Sequence, residues 1–128
     1  MANIGISTYA ANKLLEHLVG KTSWTMPSGI YAKIHTGQPG AAGTSNASAQ
    51  TTRLATTFAA ATGGSIAINN TPEFTLNATE TITHISFWDA ATGGNFLWSA
   101  AASVAKGGAS GDIIRISTNS LTLGALAS

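Results

Sequence analysis

Cysteine is absent from the 128-residue sequence, which excludes disulfides, thiolate metal sites and thiol catalysis together. Charge is scarce as well: 9% of residues are Asp, Glu, Lys or Arg, against about 25% in an ordinary soluble domain. The basic side chains Lys13, Lys21, Lys33, Arg53, Lys106 and Arg115 are scattered and leave a net charge of only +1. They form no stripe able to neutralise several phosphates, so nucleic acid is not an expected partner. No apolar run reaches the roughly 18 to 20 residues that cross a membrane. The opening MANIGIST has neither the basic nor the apolar stretch of a secretory signal, and the expected setting is the cytoplasm in which the chain is made. So little charge does little to keep copies apart. Burial of surface in an assembly is therefore expected, with a soluble monomer carrying a Ser/Thr surface as the plainer alternative.

What the chain has instead is Ala, Thr, Ser and Gly, which together make up more than half of it. Its length suits one domain, residues 1–128, with a core that needs no staples. A single helix is expected over about 8–19. Ser7 can cap it and Gly20 can end it in the left-handed conformation. Ala11, Leu14, Leu15 and Leu18 make an apolar stripe at helical spacing, expected to pack on a sheet. Residues 29–128 read as β-rich. In GIYAKIH (29–35), Ile30, Ala32 and Ile34 alternate with Tyr31, Lys33 and His35. Short β-branched or aromatic runs follow in TRLATTF, SIAIN, EFTL, TITHISFW, NFLWSAA and DIIRIST. Their spacing points to an antiparallel, sandwich-like domain, although the strand order stays open. Between them lies TGQPGAAGTSNASAQ (36–50), which has no periodicity and is expected to be a long exposed loop that contacts something.

AATGGS (60–65) and AATGGN (90–95) are nearly the same hexapeptide, each set between two strand-like runs. A phosphate-binding glycine loop would need a helix start after it, and a Lys-Ser or Lys-Thr pair. Neither is present. Gly93-Gly94 suits the positive φ angles of a tight hairpin, so WDAATGGNFLWS is read as a turn and not as a ligand cradle.

Candidate chemistry is thin. His17, His35 and His84 lie far apart on different expected elements, without metal-ligand spacing, so no metal and no cofactor is expected. Serines are plentiful enough that a Ser-His-Asp set with Asp89 or Asp112 could be assembled on paper, but no G-x-S-x-G elbow supports it. Glu16, Glu73, Glu80, Asp89 and Asp112 show no pairing suited to acid–base work. No catalysis is expected. Trp24, Trp88 and Trp98 could form a stacking platform for a sugar. The competing reading places tryptophans in the core or in cross-strand pairs, since the strand at THISFW sets Ile82, His84, Ser86 and Trp88 on one face and Thr83, Ile85 and Phe87 on the other.

Taken together, IGISTYAANKLLEHLVGKTSWTMPSGIYAKIHTGQPG, FAAATGG and THISFWDAATGGNFLWSAAAS resemble a family of small virion proteins of tailed bacteriophages, the minor tail or tail-fibre-like proteins. The resemblance covers nearly the whole chain. It is most specific in the helix-to-MPSGIYAKIHTGQPG block and in the FWDAATGGNFLW hairpin. It implies a mainly β, non-enzymatic particle component, symmetric and trimeric, assembled in the host cytoplasm into the virion. Its expected partners are copies of itself and other tail or capsid proteins. Two alternatives stay open: a head decoration protein that caps and stiffens the capsid, and a carbohydrate-binding adhesion module that reaches a host-surface glycan. Loop length and expected exposure place the protein interface at Trp24, Gln38, Pro39 and Arg53.

Overall fold

In the computed structural model, residues 4–123 are described; the ends of the expected 1–128 domain and of the expected β-rich 29–128 segment therefore lie outside the described residues. A short strand β1 (Gly5–Ile6) leads through Ser7 into helix α1 (Thr8–Leu18). Ser7 caps the helix as expected, its Oγ accepting the Ala10 N–H at 3.1 Å. Gly20, at φ +74°, ends it in the left-handed region that only glycine enters at little cost. Eight strands follow: β2 (Ile30–His35), β3 (Leu54–Thr56), β4 (Ser65–Ala67), β5 (Glu73–Thr75), β6 (Glu80–Trp88), β7 (Phe96–Gly108), β8 (Ile113–Arg115) and β9 (Ser120–Thr122). β9, only Ser-Leu-Thr, is too short to show a pattern, and the second half of β7 is dominated by Ala, Ser, Lys and Gly, whose weak strand preference hid it.

Five strands make the main sheet in the order β1-β7-β6-β2-β3. Two smaller ladders, β4-β9 and β5-β8, complete the set, and every pairing is antiparallel. The fold is mainly β with one N-terminal helix, as the sequence pattern required. On one face of the main sheet, Ala32, Ile34, Ile85, Phe87 and Trp98 meet Ile68, Phe74, Leu76, Ile114 and Ile116 from the small ladders and the segments beside them. Phe87 stacks on Trp98 with ring centroids 4.4 Å apart, and Phe58 closes edge-on against both.

Two expectations of facing are corrected. The register breaks between Ile82 and His84, so strict alternation does not carry across from Ile82 to His84. Ile82 lines the same cavity of about 390 Å³ as Ile34 and Ile85. The apolar stripe of α1 turns inward only in part: Ala11 and Leu14 are half-buried beside the buried Ala10, whereas Leu15 is 61% and Leu18 79% exposed. Periodicity reports that a stripe exists; which side of the helix docks depends on the chain entering and leaving it.

Candidate functional site

The opposite face of the main sheet carries Tyr31, Lys33, His35, Ser86, Trp88 and Ser99, set in register by the β2-β6 and β6-β7 ladders. Polar residues on an outer strand face normally meet water. Here His35, Ser86, Trp88 and Ser99 are buried: residues 36–50 fold back over His35, Arg53 covers Trp88 and β1 lies beside Ser99. The loop expected to be exposed is a clasp. A bridge pairs His35 with Ala47, the Thr36 N–H donates to the Asn46 carbonyl at 2.8 Å, and the Ser48 N–H donates to Ile34. Asn46, at φ +53°, donates its side-chain amide to the Gln38 carbonyl at 2.9 Å. Gly43, at φ +73°, leaves no room for a side chain: a Cβ there would lie 2.6 Å from the Phe96 ring.

Two polar anchors hold the clasp. Glu80 accepts hydrogen bonds from the Ser48 hydroxyl and from the Ala49 N–H. His35 lies at the second anchor, in a directional chain. Its Nδ1 is 2.9 Å from the Ser45 carbonyl, which can only accept, so Nδ1 carries the proton. Nε2 therefore accepts the Ser86 hydroxyl proton at 2.7 Å, and Ser86 Oγ in turn accepts the Trp88 indole N–H at 2.8 Å. Every member is satisfied only while His35 is neutral. Burial pushes its pKa from 6.5 down to about 4, the Ser45 carbonyl opposes that, and the nearby Lys33 and His84 add to it.

Ser86 beside His35 has the outline of a nucleophile and its base. Both are fully buried, the hydroxyl is held on both sides, and a backbone carbonyl occupies the place of an orienting carboxylate. The pair is closed to any substrate. Among the described residues no group of three or more His, Cys, Asp or Glu side chains could hold a metal ion.

The residues expected at an interface fall in different settings. Arg53 lies with its guanidinium 3.9 Å from the Trp88 ring centre. Its Nη1 donates to the Ala90 and Gly93 carbonyls at 2.8 and 2.6 Å, and Asp89 favours its charge while burial opposes it. Gln38 is half-buried in the clasp. Pro39 is fully buried, its carbonyl accepting from the Ser45 N–H, so the ring itself offers a partner no surface. Trp24 is half-buried and packs edge-on against Tyr9, with centroids 6.3 Å apart, while its backbone N–H donates to His17 Nδ1. Trp88 and Trp98 are 6% and 8% exposed, too little to offer a flat face to a sugar. The anchoring roles of His35, Glu80 and Ser86 were missed, because Ser86 lies 51 residues from His35 and Ser48 32 residues from Glu80, and no local spacing announces them.

A clasp, an arginine-stapled turn and a closed Ser-His pair make up this face of the sheet. A family model described as podophage GP4 fiber I protein gp80 matches residues 5–124. The chain belongs to this family. As a fibre-family protein it is a structural component associated with the virion, and its partners include other virion proteins. The gp80-type match covers α1, the clasp and all nine strands, so the expected resemblance to tail-fibre-like virion proteins holds. No curated protein matches the chain.

Proposed function

We propose that this chain is a single non-enzymatic structural domain of a tail fibre or minor tail protein, displayed on the virion as a symmetric trimer. The fibre-family match over residues 5–124 carries the reading. The closed Ser-His pair supports the absence of catalysis, and the buried Trp88 and Trp98 weigh against glycan adhesion. Low charge supports close association of copies, since few like charges must be brought together. In this reading Trp24, Gln38 and Arg53 sit on or beside surface that neighbouring proteins reach. Quantitative mass spectrometry of purified particles tests the proposal. A few copies per particle is the expected result. Abundance comparable with the major capsid protein would instead make it a head decoration protein, and absence from particles would overturn the virion role altogether.

A further inference from the structure

Helix α1 carries apolar residues on two sides: Tyr9 and Ala10 pack into the core and Leu14 is half-buried, while Leu15 and Leu18 point outward. Thr8, Ala11, Leu15 and Leu18 follow one another at spacings of three, four and three, the interval that places side chains along a helix–helix seam. Val19 lies beside them. Leu15, Leu18 and Val19 are 61, 79 and 75% exposed, and Met26 beyond the helix is 85% exposed. Lys13 sits over the Tyr9 ring of its own helix at 5.7 Å, and His17 accepts the Trp24 backbone N–H. With the core side of the helix already filled by Tyr9 and Ala10, Leu15, Leu18 and Val19 are left as a second apolar face without a partner in the chain.

We infer that this outward seam of α1 is a self-association surface, its occupant the same seam of a second copy of this chain. The inference deepens the assembly part of the proposed function and rests on it, the α1 seams of the three copies meeting about the trimer axis. Charge argues for a like partner: Thr8, Ala11, Leu15, Leu18 and Val19 are all uncharged, so bringing two identical faces together opposes no like charges. Area argues the same way. Leu15, Leu18 and Val19 together leave on the order of a few hundred Å² of apolar side chain in solvent, the size of the largest patch on an ordinary monomer. Covering it with an identical patch removes apolar surface from water on both copies. Ridges of Leu15 and Leu18 from two helices can interdigitate as they do in helical bundles. The α1 seam therefore joins copies while the sheet faces remain committed to the clasp and the core.

The missing cysteine supplies the test, since Leu15→Cys introduces the only thiol. Val104→Cys is its matched control, at an apolar site on β7 that is 63% exposed. Under mild oxidation of the purified full chain, Leu15→Cys gives a disulfide-linked dimer at least about tenfold faster than Val104→Cys. Equal rates overturn the inference. In sedimentation equilibrium the unmodified chain associates with rising concentration, and Leu18→Lys weakens that association at least about tenfold while the near-ultraviolet tryptophan signal stays unchanged. A chain that is monomeric at about 100 μM, or an association that Leu18→Lys leaves untouched, overturns it. These are measurements on purified protein, so absence of the chain from particles would defeat the proposed function without altering their outcome.

Discussion

The two AATGG turns begin from the same five residues and end under different constraints. At 62–65 the chain makes a tight turn, with Thr62 and Ser65 exchanging backbone hydrogen bonds of 2.9 and 3.0 Å. At 89–95 the span is wider: Asp89 Oδ1 and Oδ2 hold the Asn95 backbone and side-chain amides at 2.7 and 2.9 Å, and Arg53 ties down two carbonyls. Yet the glycine dihedrals agree, φ +58° and +78° at Gly63 and Gly64 against +62° and +70° at Gly93 and Gly94. Local sequence dictates the backbone conformation in both. Asp89, Asn95 and a distant arginine decide which of the two is held rigid.

The sharpest way to break this comparison is Gly94→Ala. A Cβ there meets Asp89 Oδ1 at 2.5 Å and the Ala90 Cβ at 2.7 Å on a backbone at φ +70°, so strain and overpacking add to a loss of about 4 kcal/mol. Urea unfolding reads that loss, and a change below about 1 kcal/mol would show that the second turn is as yielding as the first. Acidification acts through Trp88, which lies under Arg53 and ends the His35 chain. Unfolded chains take up the imidazole proton near pH 6.5, whereas the folded chain resists until about 4. The stabilisation from neutral His35 is complete above about pH 6.5, falls through this window and is gone below about 4, a loss of about 3 kcal/mol. Stability measured across the window should fall with that slope in the native chain and lose it in His35→Gln. Hydrogen exchange at low pH should rise at Asn95 before it rises at Ser65.

A smaller effect is expected of Arg53→Met, which keeps an apolar stem on Trp88 but gives up two hydrogen bonds and the charge over the ring. The loss is about 2 kcal/mol, and amide exchange at Asn95 should quicken while the 62–65 turn stays as it was. Gly63→Ala is the mildest. Nothing lies within 4 Å of its Cβ, so only the positive φ opposes it, at about 1 kcal/mol. If Gly63→Ala in fact costs as much as Gly94→Ala, contacts are not what separates the two turns.

The same division governs what could be read from residues alone. The cap at Ser7, the helix stop at Gly20, the alternation of Ile30, Ala32 and Ile34, and the turn at Gly93-Gly94 are each set by near neighbours, and each was legible. Pro39 and Gly43 were read as parts of an exposed loop because their burial depends on His35, Phe96 and Glu80, none of which their own segment identifies. The outward Leu15 and Leu18 were misread for the same reason. A stripe was visible, but its orientation follows from Ser7 donating its N–H to Leu97 at 2.7 Å, across most of the chain. The end of β7 beyond the NFLWSAA run was missed because its Ala, Ser, Lys and Gly residues carry little strand signal of their own.

The strand order also has a consequence in time. Gly5 pairs with Ser99, and Tyr31 with Trp88, so the first strands wait for partners synthesised near the far end of the chain. On a ribosome, the N-terminal third emerges long before β6 and β7 exist to receive it, with the helix free to form but the sheet not. The β6-β7 hairpin, whose strands adjoin in sequence, is the natural first step. Folding then closes backwards over residues made earlier, and commitment to the native sheet waits until β7 has emerged.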